Sequence, residues 1–203
     1  MKIKVCGISR KANLDFLNAS DVDFIGFIFY DKSVRNFVKG DIQSPVQSEK
    51  IKVGVFVNES INEIERIATT MDLNTIQLHG DESLETCAAL KQKGFCVIKA
   101  FAIKDELPLE LEKYRPEVDY FLFDTKGANY GGNGSQFDWS VLNDYELDKP
   151  FFLSGGIGLE DVEIIKQINH PKLMAVDVNS RFEVSPGLKN EKELKEFIEE
   201  LKK

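Results

Sequence analysis

Eight short apolar runs, separated by charged amphipathic stretches, most restrict what this 203-residue chain can fold into. They are Ile3–Ile8 (IKVCGI), Asp23–Phe29 (DFIGFIF), Lys52–Val57 (KVGVFV), Thr75–His79 (TIQLH), Cys96–Phe101 (CVIKAF), Tyr120–Thr125 (YFLFDT), Phe151–Gly155 (FFLSG) and Met174–Val178 (MAVDV). Near-continuous apolar runs rich in β-branched and aromatic residues are the pattern of strands covered on both faces in a parallel sheet.

Helical patterns lie between them. Ser60 with Glu63 three residues on reads as a capping box. Leu84–Lys93 puts Leu84, Cys87, Ala88 and Leu90 on one face, and Leu159–Ile168 does the same with Val162, Ile165 and Ile168. Asn190–Leu201 turns Leu194, Phe197, Ile198 and Leu201 inward, leaving its Lys/Glu run as a solvated face. The polar stretch 30–50, which carries Pro45, predicts a long loop with at most a short helix. No Pro/Gly/Ser-rich linker divides the chain. Eight βα units therefore predict an α/β chain of one domain, a closed (β/α)8 TIM barrel over residues 1–203, with an open doubly wound sheet as the alternative.

Bulk properties narrow the function classes. A net charge of -8 argues against a nucleic-acid binder, which needs a basic face. The three cysteines, Cys6, Cys87 and Cys96, form no CxxC and no His/Cys cluster, so reduced thiols are expected rather than a disulfide framework or metal site. With no signal pattern and no apolar run near the ~20 residues a membrane span needs, the expectation is a soluble, cytoplasmic protein without membrane partners.

In such a barrel, chemistry sits at the C-terminal ends of the strands. There the sequence places Cys6-Gly7, Tyr30–Arg35, Asn58, His79-Gly80, Asp124, then GGNG (Gly131–Gly134), SGG (Ser154–Gly156) and Asn179-Ser180. Turns account for the glycines singly. They account less well for a Cys, a His and an Asp, where barrel layers are usually branched aliphatics. Taken alone, Cys6 could be a packed core thiol and Asp124 a helix cap. Cys87 and Cys96 have no such partners and read as core. His79 reads as pocket lining, His170 as a loop residue, and Phe137 and Trp139 as anchors of a helix after the glycine loop.

Strand alternation gives Lys4 and Cys6 a common face, and likewise Gln77 with His79, Leu122 with Asp124, and Asp177 with Asn179. In a closed barrel the first and last strands are neighbours, so Lys4 is expected to pair with Asp177 inside, where a lone lysine would be costly. Such a lysine would raise the positive potential beneath Cys6 and favour its thiolate. Gly132, Gly134, Gly155, Gly156, Asn179 and Ser180 fall in loops after strands six to eight. Exposed backbone N–H groups in loops so placed suit a phosphate.

KVCGIS, GFIFYDKSVRNF, VGVFVN, IQLHGDE, FDT followed by GGNGSQFDW, SGGI and DVNSRFEVSPGLKN together resemble the phosphoribosylanthranilate isomerases of tryptophan biosynthesis over nearly the whole chain. The resemblance implies a (β/α)8 barrel and a cofactor-free Amadori rearrangement. N-(5-phosphoribosyl)anthranilate would become 1-(2-carboxyphenylamino)-1-deoxyribulose 5-phosphate. Cys6 would match the general base, Asp124 the general acid and Arg35 the arginine that holds the anthranilate carboxylate. The residue types suit those steps: the acid needs its proton, the base needs a thiol brought towards neutrality, and guanidinium offers a planar fork.

Two departures stand out. Arg181 replaces the glycine usual after DVNS and is expected to point to solvent, with a phosphate contact as the alternative. KSVRN lacks the proline often found before the arginine. The implied partner is a phosphosugar, and the chain is a monomer or homodimer. Competing readings are a related sugar-phosphate barrel isomerase, such as that of histidine biosynthesis, and a non-catalytic phosphosugar-binding barrel.

Overall fold

A computed structural model describes residues 1–126 and 136–203. Its centre is a closed barrel of eight parallel strands: β1 (Lys2–Val5), β2 (Phe24–Ile28), β3 (Ile51–Phe56), β4 (Thr75–Leu78), β5 (Cys96–Ile103), β6 (Tyr120–Thr125), β7 (Phe151–Leu153) and β8 (Leu173–Val178). Each strand pairs with the next, and β1 closes on β8 with Lys4 opposite Asp177. The closed barrel, not the open sheet, is the architecture.

Two layers of burial explain the near-continuous apolar runs. Phe24, Val53, Val55, Ile98, Ala100, Leu122, Phe152 and Ala175 meet inside the barrel, where the Phe24 and Phe152 rings make an edge-on contact at 5.2 Å. The intervening strand residues, such as Ile3, Val5, Ile25, Phe27, Phe121 and Phe123, face the helical shell. Each fully buried Val, Leu, Ile or Phe contributes about 1.5–3 kcal/mol relative to exposure.

The helices are α1 (Lys11–Asn18), α2 (Ile61–Met71), α3 (Leu84–Gln92), α4 (Leu111–Tyr114), α5 (Val162–Gln167) and α6 (Glu191–Lys202). Ser60 caps α2 by accepting from Glu63 N, and Asn190 caps α6 by accepting from Glu193 N. The stretch after β2 holds one 3-10 turn, Phe37–Lys39, as its polarity suggests.

Two elements differ from the sequence reading. Trp139 opens a 3-10 segment, Trp139–Asp144, and not an α-helix. Asp138 accepts from Ser140 N through its side chain and from Val141 N through its carbonyl, which sets a three-residue turn. Leu159–Ile168 is split into a 3-10 turn, Leu159–Asp161, and α5. There Asp161 turns its carboxylate onto Gly158 N. The structure also adds α1 and a two-stranded antiparallel hairpin, β9 (Glu183–Ser185) with β10 (Leu188–Lys189), beyond β8. Among the described residues no helix is long and apolar enough to cross a membrane.

Candidate active site

A cleft of about 550 Å³ opens at the C-terminal ends of the strands. Cys6, Arg35, His79, Asp124, Gly155, Gly156, Asn179 and Ser180 all line it, so eight of the residues singled out in the sequence converge on one mouth.

β1 delivers Cys6. The strand ladder ends with Cys6 N on Val178 O at 2.9 Å, and Gly7 then turns the chain at φ +75°. Below the sulfur, Lys4 is fully buried and pairs with Asp177 at 2.7 Å. β2 comes close because its facing residue is Gly26: a Cβ there would lie 2.8 Å from Cys6 Sγ and 3.2 Å from Lys4 Nζ.

Asp124, nine-tenths buried near the end of β6, has both carboxylate oxygens engaged. Oδ1 accepts from Thr125 N at 2.9 Å, and Oδ2 lies 3.1 Å from His79 Nε2. His79 Nδ1 lies 2.8 Å from Gln77 Nε2. His79 thus bridges Gln77 and Asp124 through its two ring nitrogens, which fixes the ring beside the Asp124 carboxyl group.

The wall after β7 and β8 is built from Ser154, Gly155, Gly156, Asn179, Ser180 and Arg181. Gly155 and Gly156 adopt φ +99° and +65°, and a Cβ on Gly155 would lie 2.2 Å from Thr125 Oγ1. Only glycine lets this turn lie so close against β6.

The model of the N-(5'-phosphoribosyl)anthranilate isomerase family matches residues 3–200. The chain belongs to that family. The isomerase of Parabacteroides distasonis is 44% identical over 207 residues, spanning 99% of this chain and 93% of its own length. The solved structure of the Thermotoga maritima phosphoribosyl anthranilate isomerase superposes with a TM-score of 0.85 at 35% identity, covering 100% of this chain and 98% of that one. A second isomerase structure holds reduced 1-(o-carboxyphenylamino)-1-deoxyribulose 5-phosphate; it superposes at 0.81 with 33% identity and the same coverage.

Against the isomerase expectation, one point of electrostatics is corrected. Lys4 and Lys189 pull the Cys6 thiol down, but burial outweighs them and the thiol stands above its ordinary value. Burial thus favours the thiol form of Cys6 over the thiolate. Gly132 and Gly134 lie outside the described residues. Arg181 lies on the cleft wall, half-exposed, and forms an ion pair with Glu160.

The sequence reading missed the groups behind the cleft. Glu82 and Lys99 form a buried pair at 3.0 Å beneath the loop that follows His79. Glu82 accepts from Gly80 N and Asn58 N, and Lys99 donates to Gly80 O, so the His79 loop is pinned from below. Arg35 is not a free fork: Nε and Nη2 grip Glu183, which also takes Lys189 Nζ at 3.0 Å. The EVSPGLK stretch carried that signal, with Glu183 and Lys189 six residues apart in a tail that itself resembles the family.

Proposed function

We propose that this protein isomerises N-(5-phosphoribosyl)anthranilate to 1-(2-carboxyphenylamino)-1-deoxyribulose 5-phosphate, with Cys6 as general base and Asp124 as general acid. The observation that supports the reading is that Cys6 and Asp124 line one cleft together with Arg35 and the glycine-rich wall of Gly155, Gly156, Asn179 and Ser180.

The reaction asks for proton transfers at two carbons and two oxygens of one sugar. Asp124 starts with a proton and gives it to the furanose ring oxygen as the C1′–O4′ bond breaks, leaving a Schiff base at C1′. Cys6 first releases its thiol proton to solvent and then, as thiolate, takes the C2′ proton; the C2′–H electron pair forms the C1′–C2′ double bond of an enolamine while the C1′=N pair moves onto the protonated Schiff-base nitrogen. Ketonisation then adds a proton at C1′ and removes one from the C2′ hydroxyl; the proton gained by Cys6 and the one given up by Asp124 are exchanged in this step, so both groups return to their starting states. His79 holds the Asp124 carboxylate that results, through Nε2. Lys4, next to Cys6, stabilises the thiolate at the moment it is needed. Arg35 meets the anthranilate carboxylate, and the wall after β7 and β8 receives the phosphate.

A histidine-pathway isomerase is the weaker reading, because the similarity over residues 3–200 is to the anthranilate enzymes. The test is turnover of freshly formed N-(5-phosphoribosyl)anthranilate by the parent, Cys6→Ser and Asp124→Asn, beside binding of the reduced product analogue. Parent turnover, with loss of about 10²-fold or more in each variant and retained binding, supports the roles. Unchanged rates in either variant remove that residue from the mechanism.

A further inference from the structure

A buried ion cluster ties the loop after β2 to the hairpin and wall after β8, and two of its members, Glu183 and Lys189, have no step in the reaction. Arg35 lies on the loop after β2, and Glu183 opens β9, 148 residues later. Arg35 Nε donates to Glu183 Oε1 and Oε2 at 3.0 and 2.9 Å, and Nη2 donates to Oε2 at 2.7 Å. The Glu183 side chain is 4% exposed and Lys189 beside it is 1% exposed. Lys189 Nζ donates to Glu183 Oε1, to Asn179 Oδ1 at 2.7 Å and to Asn179 O at 3.1 Å. One lysine thus touches the partner of Arg35 and a residue of the β8 wall.

Gly7 shows how close these groups come to the base. A Cβ on Gly7, immediately after Cys6, would lie 2.8 Å from Asn179 Oδ1 and 3.2 Å from Arg35 Cδ. Arg35 and Asn179 therefore close over the same glycine. The cluster of two cations and one carboxylate keeps one positive charge in excess. Glu183 occupies the side edge of the guanidinium; both N–H groups of Nη1 and the second on Nη2 stay outside that pair. An end-on edge remains, and it matches one carboxylate.

We propose that Glu183 and Lys189 are positioning residues of the substrate-carboxylate subsite. Glu183 holds Arg35 with its Nη1–Nη2 edge towards the cleft, as a seat for a single aryl carboxylate. Lys189 ties that seat to Asn179, so that the carboxylate seat is held fixed against the β8 wall beside Cys6. Glu183 is the carboxylate suited to this: Arg35 and Lys189 together outweigh its burial and hold it below the usual range. Burial lowers Lys189, while its Nζ donates to three oxygens in the manner of an ammonium.

This inference rests on the isomerase reading, and the test separates the two. Two probes are measured by calorimetry: reduced 1-(2-carboxyphenylamino)-1-deoxyribulose 5-phosphate, and the phenylamino compound without the carboxylate. In Glu183→Gln the Kd for the first rises about tenfold or more, and for the second stays within about twofold. Glu183→Asp, which keeps the charge at shorter reach, gives a smaller loss confined to the carboxylate probe. Lys189→Gln weakens both probes, since it releases Asn179 as well as Glu183. Equal losses on the two probes in Glu183→Gln, or in Glu183→Asp should the first variant fail to fold, overturn the proposal, as does no loss at all. A parent that binds both probes but fails to isomerise the substrate instead overturns the reaction assignment.

Discussion

Lys4 and Asp177 face each other across the β1–β8 seam as register partners and form a 2.7 Å ion pair inside the barrel. Asp177 Oδ1 is buried without a hydrogen-bond partner among the described residues, so Lys4 is the charge that keeps this carboxylate in place. Burial pushes the Asp177 carboxyl upward against the pull of Lys4. Truncating the cation leaves a buried acid with nothing to pair. Lys4→Met is expected to lose about 3–5 kcal/mol of stability, read as a fall in the urea midpoint. Lys4→Met with Asp177→Leu, which removes both charges, recovers much of that loss. A double variant no more stable than the single would show that the charge pair is not the source.

Gly26 sets how far β2 stands from the Cys6 sulfur. A methyl group there meets Cys6 Sγ at 2.8 Å, Cys6 Cα at 3.1 Å and Lys4 Nζ at 3.2 Å. The Cys6 backbone and the buried Lys4 charge cannot retreat cheaply. Gly26→Ala is expected to destabilise by about 1–3 kcal/mol through overpacking. It should lower kcat by about 10²-fold, because a displacement near 1 Å at a reacting group costs that much. Normal kcat in a folded Gly26→Ala protein would show that the sulfur has room to move.

The thiols make stability fall at high pH. Burial raises Cys87 to about 12 and Cys96 to about 11, and it raises Cys6 as well, all from an ordinary value of 9.0. A group whose folded value is raised gives stability that is complete below the unfolded value and is lost as pH climbs through the folded one. The window therefore runs from pH 9.0 to about 12. Tyr145, buried and likewise raised, adds to the same slope. Urea midpoints at pH 8, 9, 10 and 11 should decline steadily above 9, and Cys87→Ala should make the decline shallower. A flat profile in the parent contradicts the burial account.

The barrel was legible because all eight strands are covered on both sides, which writes the same apolar run eight times. The inner set was legible because alternation is strict: Lys4 follows the same face as Cys6, and Asp177 the same face as Asn179. What escaped depends on distance or on sums. α1 buries Asn13, Leu14 and Leu17, and the polar Asn13 breaks its apolar face, since its partner is Lys189 N at 2.8 Å. The hairpin β9–β10 is too short to show a period, and Arg35 finds Glu183 only through the fold. The Lys4–Asp177 pair was foreseeable from closure of the barrel. The state of the Cys6 thiol was not, because it is the difference between burial and three neighbouring charges.

That difference can be measured directly at the sulfur. Lys4 and Lys189 favour the Cys6 thiolate, Asp177 opposes it, and burial, the largest influence, opposes it too. The resting thiol is therefore a weak nucleophile at neutral pH, and its reaction with iodoacetamide should be slow at pH 7. Below the folded-state value, thiolate fraction and alkylation rate both rise about tenfold per pH unit. Peptide mass spectrometry separates Cys6 from Cys87 and Cys96, neither of which lines the cleft. The reduced product analogue should protect Cys6 alone. In Lys4→Met the positive charge beside the sulfur is gone while burial remains. The whole Cys6 profile should then move to higher pH, with slower alkylation at every pH below the shifted value. A Cys6 profile that is identical in the parent and in a folded Lys4→Met protein would mean that the buried lysine anchors Asp177 and does nothing for the thiolate.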